Sequence, residues 1–84
     1  MVWKYVTIQG EDITIEVTRA VDLSGGVLSG LYTCSAKSLL AIYMRRGATM
    51  PTVLVTARDE ARAIEKVERA IHAGLMVRRR PDEV

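Results

Sequence analysis

The chain has 84 residues, 49% of them apolar and 26% charged, with twelve basic side chains against ten acidic ones. That is enough for one small folded domain, and too little for a multidomain enzyme or a large buried pocket, because a chain this short removes only about 60–65% of its surface from water. The apolar content excludes a disordered tail, and the longest unbroken apolar run, residues 39–44, is far below the roughly 20 residues a membrane helix needs.

In chain order, residues 2–8 and 13–20 are rich in β-branched side chains and alternate, with Ile13, Ile15 and Val17 on one face and Thr14, Glu16 and Thr18 on the other. Gln9-Gly10-Glu11-Asp12 between them supplies a tight turn, so the first twenty residues read as an antiparallel hairpin. Residues 22–30 hold three of the six glycines and read as a loop leading to a short strand over 30–33. Ser35 is suited to cap a helix, and Ala36, Leu39, Leu40 and Tyr43 then share a helical face, so residues 36–46 are expected to be helical and to stop at Gly47. The block 39–44 also suits a buried strand, since six consecutive apolar residues have no period of their own.

Residues 52–56 have the β-branched density of a buried strand. A second helix is expected over residues 58–73, with Thr56 and Asp59 as a capping box and Ala57, Ala61, Ile64, Val67 and Ile71 as its apolar stripe. Glu65 with Arg69 and Glu68 with His72 are spaced to pair on its wet side, and Gly74 lets the chain leave. Residues 75–77 then dock back onto a domain spanning residues 1–77, and residues 78–84 form a flexible tail. The expected fold is α+β: a small antiparallel sheet of three or four strands packed with two helices, in the order β-β-(β)-α-β-α.

Chemistry-bearing constellations are sparse. Cys34, next to a helix start and near Lys37, is the one candidate reactive thiol; free Cys is more commonly a small buried hydrophobe, and the only His, His72, stands on another element. One Cys and one His cannot form a metal site, and no cofactor is expected. The glycines of residues 24–30 could offer amides to a phosphate, but they lack a P-loop ending or a dinucleotide fingerprint. Glu11-Asp12 and Asp59-Glu60 have ordinary roles in a turn and in a first helical turn. A single Cys and the lack of a basic-then-apolar leader point to the cytoplasm.

Two partner classes remain. Arg45, Arg46, Arg78, Arg79 and Arg80 could neutralise phosphates while Trp3 and Tyr5, on one strand face, stack on bases, which would make a nucleic-acid-binding accessory protein. The leading expectation is a non-enzymatic interaction module that binds protein, including a second copy of itself, because the first hairpin is apolar on both faces and one helical layer covers only one.

Overall fold

The computed structural model describes residues 1–83. The order is β1 (Val2–Ile8), β2 (Glu11–Val21), β3 (Val27–Lys37), β4 (Ile42–Arg45), β5 (Val53–Thr56), α1 (Glu60–His72) and β6 (Met76–Arg79), followed by a single 3-10 turn, Pro81–Glu83. All strand pairings are antiparallel and form one six-stranded sheet, β1-β2-β3-β4-β6, with β5 also on β3.

This corrects the expected two-helix fold with three or four strands: six strands and one helix are present among the described residues. Residues 36–46 are the reason. β3 runs to Lys37 and holds seven register partners on β2, pairings that a helix starting at Ala36 would cut short. Ser38, rather than Ser35, makes the local hydrogen bonds: its Oγ accepts from the Leu40 and Ala41 amides, its own amide donates to Ala41 O at 2.8 Å, and the chain turns back into β4. Ser35 lies within β3, and Leu39 and Leu40 sit exposed at the turn instead of on a helical face. The short strand expected over residues 30–33 is likewise only part of the eleven-residue β3.

The hairpin is found as expected, with a shorter turn. Gln9 (φ 51°) and Gly10 (φ 80°) both have positive φ, the signature of a two-residue type I′ connection whose twist matches that of the strands. Glu11 and Asp12 therefore belong to β2. The final helix is capped by Asp59, whose carboxylate accepts from Arg62 N at 2.8 Å. Its buried stripe is Ala63, Ile64, Val67 and Ile71, with Ala61 turned to solvent. Glu65 meets Arg69 at 3.9 Å, whereas Glu68 pairs with Lys4 of β1 at 3.4 Å rather than with His72.

That helix covers one face of the sheet. Directly paired residues of neighbouring strands point the same way, so the register places Ile13, Ile15 and Val17 of β2, Tyr32, Cys34 and Ala36 of β3, and Val53 and Val55 of β5 under α1. Fully burying one such Ile or Val contributes roughly 1.5–3 kcal/mol, which makes β2 and β3 the stable centre. Residues 76–79 are paired with β4, so Arg78 and Arg79, expected to open the tail, are in a strand. Val84, the last residue of that expected tail, lies outside the described residues.

Candidate functional site

The uncovered face shows why the second side of the sheet needs no second helical layer. On β2 and β3 it carries Thr14, Glu16, Thr18, Thr33, Ser35 and Lys37, side chains that water solvates. The exposed apolar side chains of the strands on this face include Trp3 (53%) and Tyr5 (73%) of β1 and Leu54 (60%) of β5. Trp3 stands beside Glu16 and Tyr5 beside Thr14.

The turn geometry also fixes which backbone groups of β1 are free. A two-residue turn closes on a hydrogen-bonded pair, here Ile8 and Glu11, and such pairs alternate along an antiparallel ladder. Val2, Lys4, Val6 and Ile8 thus bond to β2, while the amides and carbonyls of Trp3, Tyr5 and Thr7 point outward. The same alternation continues across the sheet: it requires bonded pairs at Ser38/Ala41, Gly30/Ala57 and Arg46/Leu75, and each of these contacts is made. β1 is therefore an edge of seven residues with three outward donor-acceptor pairs, and the residues bearing them also carry Trp3 and Tyr5 on the open face. Its one charged residue, Lys4, faces the other way and is held by Glu68.

The arginines lie elsewhere. β6 is the opposite edge, four strand spacings or about 19 Å across the sheet from β1. Arg78 is held by Glu11: its Nη2 donates to Oε2 at 2.9 Å, and its Nε is 3.1 and 3.2 Å from the two carboxylate oxygens. Ser38 donates to the same carboxylate at 2.9 Å, and the Tyr43 hydroxyl donates to its other oxygen. The Arg78 hydrogen bonds first, then that of Tyr43, hold the Glu11 carboxyl down at about 2, and burial followed by the Glu11 contact pushes Tyr43 up to about 12. This network ties the first hairpin to the last strand across 67 positions of sequence. Arg79 points to the open face, Arg80 lies 3.8 Å from Asp82, and Arg45 and Arg46 stand at the other end of the β4–β6 ribbon. Trp3, Tyr5 and the five arginines do not share one track.

Cys34 sits in the middle of β3 with no helix start beside it. It is buried, and burial pushes its thiol up to about 11, away from the thiolate form. The glycine loop is closed to anions by its own side chain: Asp22 Oδ1 accepts from Ser24 N, Ser24 Oγ and Gly26 N at 2.7–2.9 Å. Among the described residues no three His, Cys, Asp or Glu side chains could hold a metal, and no helix is long and apolar enough to cross a membrane.

A further concave site went unseen in the sequence. β3 pairs with β5 through residues 31–34 and with β4 through residues 36–37, so the two strands divide like a fork. Between them and α1 lies a groove of about 480 Å³ with an apolar floor and Arg45, Arg46 and Lys66 at its margin. Arg45 and Arg46 were conspicuous as a doublet; nothing local marks Lys66, which arrives from the helix.

No family model, no curated protein and no solved structure matches the chain.

Proposed function

We propose that this protein is a non-enzymatic interaction module that binds by strand addition at the β1 edge, and that its partner is a second copy of itself. The observation that carries this reading is the coincidence, on Trp3, Tyr5 and Thr7, of outward backbone groups with aromatic side chains on an uncovered face. Edge strands of soluble proteins are commonly blunted by charge, proline, bulges or short length. β1 has seven residues, no proline, no register shift and a single charge that is turned toward α1.

A two-fold axis through Tyr5 places Tyr5 against Tyr5 and Trp3 against Thr7 of the second copy, each as a hydrogen-bonded antiparallel pair. Six backbone hydrogen bonds form, and the two sheets become one of twelve strands. Lys4 then faces Val6 rather than the other Lys4, so the pairing brings no like charges directly opposite. The aromatic rings of both copies gather on one face, where cross-strand pairs contribute roughly 0.2–1 kcal/mol each.

Light scattering over a wide concentration range tests this reading. A mass rising from one chain to two supports it, with Tyr5→Pro holding the chain at monomer, since the Tyr5 amide points away from β2. A constant monomer sinks it. If that monomer also bound single-stranded nucleic acid with salt-sensitive quenching of Trp3, base stacking on the same two rings would replace self-pairing.

A further inference from the structure

Seven basic side chains, Lys4, Arg19, Lys37, Arg62, Arg69, Arg78 and Arg80, lie within 4.0 Å of an acidic one. Among the described residues that leaves Arg45, Arg46, Arg58, Lys66 and Arg79 without an acidic partner, and three of these five converge on the groove in the fork between β4 and β5. Lys66 Nζ reaches only the Thr56 carbonyl, and Arg46 Nη2 only the Gly74 carbonyl at 3.3 Å. No acidic side chain lines the groove. Its floor, which includes Val55, Val67 and Met76, is apolar, and its volume of about 480 Å³ is that of a small-molecule site.

We propose that this groove binds an amphipathic carboxylate of the fatty-acid class, with the chain lying on the apolar floor and the carboxylate among Arg45, Arg46 and Lys66. Three cations concentrated beside a low-dielectric surface attract one anionic head, and arginine forks match carboxylate geometry. The apolar tail leaves water and covers the exposed Leu54 and Leu75 of the lining. An added peptide strand fits less well. By the sheet's alternation only Leu54 and Thr56 of β5 turn backbone groups toward the groove, and Lys66 already occupies the Thr56 carbonyl. One residue's free pair is a poor template for a strand.

Decanoate, titrated below its micelle-forming concentration and followed by amide chemical shifts, is the test, with decanol and acetate as tail-only and head-only controls. The expected result is saturable binding with shifts at Arg45, Lys66 and Met76, at least tenfold tighter for decanoate than for either control and weakened by salt. The exposed substitutions Arg45→Glu and Lys66→Glu together should remove the advantage over decanol; should that pair fail to fold, Arg45→Gln with Lys66→Gln applies the same test without added repulsion. Equal affinity for decanoate and decanol, shifts centred on Trp3 and Tyr5, or no saturation would overturn the proposal.

Discussion

The two ends of the main strand order, β1 and β6, are built from opposite materials. β6 has four residues, two of them arginines, and runs directly into Arg80 and Pro81; its outward side carries the backbone of Arg78, which also anchors the strand to Glu11. β1 has seven residues, two exposed aromatics and one charge turned aside. β6 thus combines three devices that discourage strand addition, namely short length, charge and a following proline, while β1 has a single lysine, paired with Glu68 of α1. This contrast is what the proposed strand addition at β1 rests on.

Changes at β1 should have the largest effect on this contrast. Trp3→Lys with Tyr5→Lys places charge where β6 already has it, and should weaken self-association at least a hundredfold, equivalent to about 2.7 kcal/mol, with little change in thermal stability of the monomer. Sedimentation at several concentrations reads this directly; unchanged association would mean that the two chains meet elsewhere.

Next comes the anchor of the protected edge. Glu11→Gln removes the charge that holds Arg78, and should cost about 1–2 kcal/mol at neutral pH, a value kept small because Arg78 is about half exposed. The pH dependence has a definite sign. A carboxyl held near 2 in the folded chain, against an ordinary 4.5, supplies stability that is present above 4.5 and lost as pH falls toward 2. The wild-type melting temperature should therefore fall over that window more than that of Glu11→Gln, and parallel acid limbs would show that the network contributes nothing.

A smaller effect follows from stripping the charge off β6. Arg79→Val with Arg80→Val should give the chain a second open edge and so favour species larger than a dimer at high concentration, visible as scattering that rises with concentration. The effect is modest because four residues offer few pairing groups. The smallest response belongs to the centre of the sheet. Cys34 should alkylate slowly in the native state, and none of the edge substitutions should change that rate, because the thiol becomes reactive only when β3 is exposed. Fast alkylation by a depressed-pKa thiolate would restore the reactive reading of this residue.

What could be read from residues alone follows the range of the interactions involved. The hairpin was legible because Ile13, Ile15 and Val17 alternate with polar residues, and the final helix because its apolar stripe and Asp59 cap are local patterns. The Leu39–Met44 block misled because an apolar run has no period and three of its residues also meet helical spacing with Ala36; its true form depends on β2 claiming β3 as far as Lys37. Trp3 and Tyr5 were legible as neighbours on one face, but not as residues whose backbone faces outward. The groove was illegible, since Lys66 reaches it from α1 and Arg45 from β4.

Local alternation, turn chemistry and helix periodicity are written in neighbouring residues, and with them the sequence determined a hairpin, a C-terminal helix and a domain with more apolar surface than one helix could cover. Only the tertiary structure decided that the open sheet face is polar along β2 and β3 with exposed aromatics on β1, that Arg78 closes the fold instead of trailing from it, and that three cations without acidic partners share a groove. The physical reason is that edges, ion pairs and concave sites are made by residues distant in sequence, and here the decisive pair, Glu11 and Arg78, is 67 positions apart.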